Sequence, residues 1–269
     1  MAKRLEHEKR HAPQNTFSGR AYSRINTLIL DIKGSDFDKG SDPRWCTFLQ
    51  AQQNGWHIKK GAIGTHIILW KLFKEENNNS DENKIEDEAK TFALQKFFTV
   101  FHATQIEGIS EYKPEIINES TANENAERII KDSDADIRYG GSEAFYRPSE
   151  DFIQLLLRDD FYSSESFYGT ALHELAHWSG GVKRLNRQFC NHFGSDNYTL
   201  EELIIEIASI FLSPQTGIKL DVKYFQNHVA YIASLIRILK SDSNKIFKAS
   251  AEAEKAANFL PKGGSLNEN

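Results

Sequence analysis

The 269-residue chain is 39 % hydrophobic and 26 % charged, enough apolar material for one large domain or two small ones beneath a soluble surface. No apolar run reaches the roughly 18 residues that a membrane-spanning helix needs. The polar, basic stretch Met1 to Gln14 has no apolar core, so neither a membrane partner nor a secretory signal is expected. Cys46 and Cys190 form no CxxC pair, which argues against a disulfide framework or a thiolate zinc site and fits a reducing cytoplasm.

The net charge of −5 hides an asymmetry. Residues 1–74 carry 13 Lys and Arg against 6 Asp and Glu, whereas the remainder carries 20 against 32. A basic N-terminal part suits a polyanion, although many domains carry such a bias without one.

The pattern of elements is α+β. Tyr22, Ile25, Leu28, Ile29 and Ile32 follow a helical spacing. Trp45 to Gln53 reads as a second short helix, closed by Asn54-Gly55. His57–Lys60 and Thr65–Phe73 read as strands paired in a hairpin across Gly61 and Gly64. Residues 75–90 are acidic, Asn-rich and poor in apolar side chains, hence an exposed loop. A strand resumes at Phe97 to His102.

Residues 110–121 read as a linker, followed by a helix bearing Ala126, Ile129 and Ile130. Ile137–Tyr139, Ala144–Tyr146 and Phe152–Leu157 are short strands. Helices follow near Glu165–Ser179, Leu200–Leu212, Val222–Lys240 and Asn244–Leu260, with Gly180-Gly181 and Pro214 as stops. The division is a small α+β domain over 1–112, then a domain over 113–269 with a short antiparallel sheet and a helix bundle.

The chemistry concentrates in His173-Glu174-Leu175-Ala176-His177. Two histidines four apart share one helix face, one turn apart. That is the separation at which two imidazoles can bind one tetrahedral ion. Glu174 beside them is a candidate general base toward water. In HExxH peptidases whose third ligand is Glu, that residue commonly lies on a following helix, with an acidic residue four positions on. Glu202 fits as the ligand and Glu206 as the group that orients a histidine. Thr199-Leu200-Glu201-Glu202 also fits a capping box, in which case Glu206 becomes the ligand. Glu201 reads as a solvated first-turn charge. A site of two His and one Glu leaves a coordination position open, which favours chemistry over stapling. Phe152–Leu156 could be the edge strand that aligns a substrate, with Tyr198, His228 and Tyr231 as candidate oxyanion donors.

The basic part interleaves cations with rings: Arg20, Tyr22, Arg24, Arg44, Trp45, Lys59 and Lys60, with Phe48, Trp56, His57, His66 and Trp70 nearby. Single-stranded nucleic acid is held this way, cations tracking phosphates while rings stack on bases. The same tryptophans would also serve as the core of a small domain.

Taken together, these segments resemble the ArdC-type antirestriction proteins of conjugative plasmids. The resemblance runs through Phe17–Asn26, Arg44–Ala51, Ile58–Trp70, Val100–Gly108, His173–Gly180, Arg184–Arg187 and Tyr198–Glu206, then Ala230–Ile232 and Leu239–Asp242. It implies an N-terminal domain that binds single-stranded DNA and a C-terminal zincin-like metallopeptidase with zinc, or alternatively manganese, as its ion. It also implies a cytoplasmic protein of a mobile element that helps incoming DNA survive restriction; the protein substrate of the peptidase does not follow. A contrasting reading is a non-catalytic protector of single-stranded DNA whose metal site is structural. A third, a replication-associated accessory protein, rests on related domains being fused to primases.

Overall fold

The chain folds as a mixed α and β protein, seen here in a computed structural model that describes residues 6–38, 42–74, 91–187, 195–218, 237 and 239–262. In chain order the elements are β1 (Glu6–Glu8), β2 (Gln14–Asn15), α1 (Ile25–Asp38), β3 (Arg44–Thr47), α2 (Phe48–Gln53), β4 (His57–Ile58), β5 (Thr65–Lys74), β6 (Thr91–His102), β7 (Ile106–Glu107), β8 (Ile116–Asn118), α3 (Glu119–Asp132), β9 (Asp136–Tyr139), β10 (Phe145–Arg147), β11 (Phe152–Leu155), α4 (Ser164–Ser179), α5 (Asp196–Thr216) and α6 (Lys245–Phe259). No described helix is long and apolar enough to cross a membrane. The loop expected over 75–90 and Cys190 lie outside the described residues, as does nearly all of the helix expected over Val222–Lys240.

Two compact units emerge, and their border is not a single cut at 112/113. The smaller unit is Gln14–Arg20 with Arg44–Ser110; the larger is Met1–Pro13, Ala21–Pro43 and Glu111–Asn269. The reason is burial. Ile25 and Leu28 of α1 are buried in the core of the larger unit, where each large apolar side chain contributes about 1.5–3 kcal/mol. β1 likewise pairs antiparallel with β8, so the expected linker contains a strand.

The smaller unit has a four-stranded sheet in the order β2-β3-β6-β5. β5 and β6 form one long antiparallel ribbon, from Thr65 opposite Val100 to Lys74 opposite Thr91. The expected hairpin between His57–Lys60 and β5 is not formed: β4 pairs with β7 instead. The expected helix from Trp45 begins only at Phe48, because residues 44–47 are a strand. Pairing decides this: β3 lies between β2 and β6, and Trp45 and Cys46 are both buried between half-buried Arg44 and Thr47. Thr47 then caps α2 through a reciprocal capping box with Gln50.

In the larger unit, β11 is the centre of a three-stranded sheet, antiparallel to β10 and parallel to β9. The sheet is therefore mixed rather than antiparallel, and Phe152–Leu155 is not an edge; β10 and β9 are. α3 buries Ala122, Ala126, Ile129 and Ile130, a spacing that makes one helical face. α4, α5 and α6 complete the core with Phe167, Leu172, Leu175, Ile205, Leu212, Ala253 and Leu260 among its fully buried members. Pro214 does not end α5, which runs to Thr216 and closes on Gly217 at φ 79, a left-handed position that favours glycine.

Candidate metal centre

α4 carries the site because its two ends are well determined. Ser163 caps it, accepting from Ser166 N–H while the Ser166 side chain returns to the cap. Phe167, Ala171, Leu175 and Ala176 are buried, which fixes the helix's rotation and turns His173 and His177 to a common side. Their ring centroids lie 5.0 Å apart.

α5 brings the third group. Its cap is Ser195, which accepts from Tyr198 N–H, so Glu202 lies inside the helix and the capping box at Thr199 is not formed. Glu202 Oε2 is 3.7 Å from His173 Nε2, and Oε1 is 3.6 Å from His177 Nε2. Candidate ligand atoms of these three residues all lie within 4.8 Å of one another. A tetrahedral zinc with bonds of roughly 2.0–2.2 Å separates its ligand atoms by roughly 3.3–3.6 Å, so this donor set fits with small side-chain adjustments. Glu206 does not belong to that group.

The electrostatics differ between the histidines. Burial, aided by His177, pushes His173 down to about 4, leaving a neutral ring with a free lone pair. Burial alone would also lower His177, but the carboxylates of Glu201 and Glu202 reverse this and push it up to about 10. That proton must leave before Nε2 can act as a ligand atom. Burial works against ionising Glu202, yet His177, His173 and the Tyr198 hydroxyl hold its carboxyl below the usual range. Tyr198, a candidate oxyanion donor, thus hydrogen-bonds a candidate ligand. His228 and Tyr231 lie outside the described residues.

Glu174 points into the same site. Burial, reinforced by Glu202, raises its carboxyl to about 7, while His177 and then the main-chain N–H of Tyr146 on β10 partly oppose that rise. A carboxylate that exchanges its proton near neutrality is suited to act as a base.

Glu201, not Glu206, is the carboxylate that faces a histidine of the site. Glu201 is buried, not solvated; its Oε1 lies 3.7 Å from His177 Nδ1 and 3.0 Å from Arg187 Nη2. It faces the ring nitrogen opposite the candidate ligand atom, the side from which a carboxylate can fix a histidine's tautomer. Burial, then Glu202, raises Glu206 to about 8, and its Oε2 has no hydrogen-bond partner among the described residues. The missed signal was Arg187, a basic residue between the two helices that gives a buried Glu201 its partner.

The expected nucleic-acid residues fall into both units. Tyr22 and Arg24 belong to the larger one, where the Arg24 N–H donates to Glu254 at 3.0 Å. In the smaller unit Arg20 and Lys60 are exposed. Arg44 Nη2 donates to Ser110 O at 2.9 Å, and Lys59 Nζ to Thr104 O at 2.8 Å. Trp45 is 1 % exposed and packs edge-on to His102, 4.8 Å between centroids; it fills the interior and offers no stacking face. Among the described residues of the smaller unit, the exposed phenylalanine rings are Phe17, Phe48, Phe97 and Phe98. Phe97 and Phe98 are adjacent on β6, so their side chains point to opposite faces of the ribbon.

Comparison with known proteins finds two families in chain order, the first of which spans stretches of both compact units. Residues 3–101 match the N-terminal domain of anti-restriction factor ArdC, and residues 124–252 match a zincin-like metallopeptidase family, which implies zinc. Crystal structures of the antirestriction ArdC protein from the R388 plasmid superpose with a TM-score of 0.75 at 30 % identity. The metal-free form covers 94 % of this chain and 89 % of its own; the Mn(II)-bound form covers 96 % and 90 %. The latter is consistent with manganese as the alternative ion. An uncharacterized protein of Sinorhizobium fredii, y4eC, is 31 % identical over 92 % of this chain and 80 % of its own length. Two Escherichia coli proteins named DNA primase TraC are 38 % and 40 % identical over 93 % and 92 % of this chain. The chain spans only 18 % and 24 % of their lengths. With an ArdC N-terminal match, a zincin-like match and the ArdC fold along nearly its whole length, the chain belongs to the ArdC family of antirestriction proteins.

Proposed function

We propose that the chain is an antirestriction protein that binds single-stranded DNA and carries a working zinc peptidase centre. The observation that carries the peptidase half is the convergence of His173, His177 and Glu202 with a buried Glu174 beside them. A bound zinc supplies Lewis acidity, polarising a peptide carbonyl and acidifying water. Glu174 takes the proton of the attacking water and passes it to the departing amine nitrogen. Glu201 holds His177 in the tautomer that leaves Nε2 free. β10, an edge strand whose Tyr146 N–H meets Glu174, lies where an extended peptide could add as a further strand. The test is metal content per chain for wild type, Glu202→Ala and Glu206→Ala, followed by cleavage of a denatured protein pool by wild type and Glu174→Gln. About one zinc in wild type, lost in Glu202→Ala and retained in Glu206→Ala, supports the ligand set. Cleavage that survives Glu174→Gln unchanged would sink the peptidase reading.

For the DNA half, the support is the pairing of exposed Phe17, Phe48, Phe97 and Phe98 with Arg20, Lys59, Lys60 and Lys96 in the smaller unit. Affinity for single strands should fall steeply with salt, because counterions are released on binding. Binding of equal strength at low and high salt would remove this half.

A further inference from the structure

After α4, residues 180–187 turn back on its C-terminal end: Leu185 N–H donates to Ser179 O at 3.0 Å, and Arg187 N–H to Gly180 O at 2.9 Å. Two arginines three positions apart leave this segment, and each is tied to a different part of the metal centre.

Arg184 Nε donates to Trp178 O at 2.6 Å, and its guanidinium lies 3.9 Å over the Trp178 ring. Its Nη1 donates to Asp151 at 3.1 Å and its Nη2 to the Tyr146 hydroxyl at 3.1 Å. That hydroxyl donates in turn to Asp151 at 2.9 Å. Asp151 has φ 56, a conformation that a non-glycine residue keeps only where its surroundings over-determine it. Tyr146 also lies beside the base: β10 packs against α4, and the Tyr146 main-chain N–H faces the Glu174 carboxylate. The ties therefore run from Arg184 through β10 to the base.

Arg187 runs the other way. Its Nε and Nη2 donate to Glu201 at 3.2 and 3.0 Å, its Nη2 to Ala176 O at 2.6 Å and its Nη1 to Ser179 Oγ at 3.1 Å. Glu201 contacts His177 Nδ1. Both arginine side chains are largely buried, 10 % and 5 % exposed; Glu201 is buried with Arg187, whereas the Asp151 partner of Arg184 is 46 % exposed.

We propose that residues 180–187 are a two-armed positioning clamp, Arg184 fixing the base Glu174 through Tyr146 and Arg187 fixing the ligand His177 through Glu201. Neither arginine touches a ligand atom or the base. The clamp rests on the metal-centre reading above. Its content is the division of labour: one arm governs metal affinity, the other governs β10.

The experiment measures two quantities on the full chain, zinc affinity by competition with a chromogenic chelator and hydrogen exchange of the Tyr146 amide. Arg187→Met and Glu201→Gln should weaken zinc about 10–100-fold and leave Tyr146 exchange as in wild type. Arg184→Met should speed Tyr146 exchange by roughly tenfold or more and leave zinc affinity as in wild type. Gly181→Ala should repeat the Arg184→Met pattern, because its Cβ would collide with the Arg184 guanidinium, and it keeps the arm testable if Arg184→Met does not fold. Glu201→Gln does the same for the other arm, preserving side-chain size. Zinc affinity unchanged in both Arg187→Met and Glu201→Gln overturns the clamp. So does unchanged Tyr146 exchange in both Arg184→Met and Gly181→Ala, or loss of both properties together in every variant. A wild type that binds no zinc instead removes the metal-centre reading, and the clamp with it.

Discussion

The metal centre and the ring-bearing surface of the smaller unit are built on opposite principles. At the centre, Glu201, Glu202 and His177 are each held by more than one partner, while Glu206 keeps a buried oxygen without one among the described residues. On the smaller unit, Phe17, Phe48 and Phe97 are more than half exposed. A catalytic constellation needs fixed geometry and obtains it from buried partners. A surface for a flexible polymer needs accessible rings and cations, and gains little from rigid partners. Substitutions should therefore fail differently in the two places.

The largest effect should come at the centre. His177→Ala removes a candidate ligand atom and leaves Glu201 without the ring it faces. Zinc affinity should fall by at least about 100-fold, read by chelator competition; a fall of less than tenfold would mean that another residue completes the site.

Next in size is the contrast between a buried and an exposed ring within the smaller unit. Trp45→Ala should cost about 3–5 kcal/mol of stability through the cavity it leaves, measured by denaturant unfolding. Phe97→Ala should leave stability nearly unchanged and weaken single-strand binding by about 1–3 kcal/mol. If both variants lost binding without losing stability, Trp45 would have to be a contact residue after all, and the contrast would break.

The smallest effect concerns pH. The Arg184 hydrogen bond holds the Asp151 carboxyl below its usual value, with burial opposing. A carboxyl lowered in the folded state stabilises above its unfolded value, and that contribution is lost as pH falls through the folded one. Stability should thus decline below about pH 4, and Asp151→Asn should remove part of that decline. The effect is modest because Asp151 remains 46 % exposed. An unchanged acid limb in Asp151→Asn would show that the pair contributes nothing.

Much of the centre was legible in the sequence because its geometry is local. Positions four apart on a helix must share a face, whatever the rest of the chain does. The second contribution, from α5, depended on where that helix began. Ser195 rather than Thr199 caps it, which frees Glu202 from a capping role. That Glu201 rather than Glu206 faces His177 was not legible, because it depends on Arg187 arriving from the loop to pair with Glu201. In the smaller unit the ring pattern gave a chemistry but not its exposed members. Trp45 and Cys46 are consecutive and both buried, a strand covered on two sides that alternation alone does not reveal. The pairing of β4 with β7 rather than β5 was equally hidden, since both partners are only two residues long.

The larger unit is assembled from three separated stretches, with α1 encoded between the two stretches of the smaller unit. Its first strand must wait for a partner about a hundred residues later, so on a growing chain the smaller unit has all of its residues available first. Non-local pairings of this kind slow folding. The interleaving also means that neither unit is a separable cassette: recombination at residue 112 would remove β1 and α1 from the core they help to close, so the two halves of the sequence are bound to be inherited as one piece.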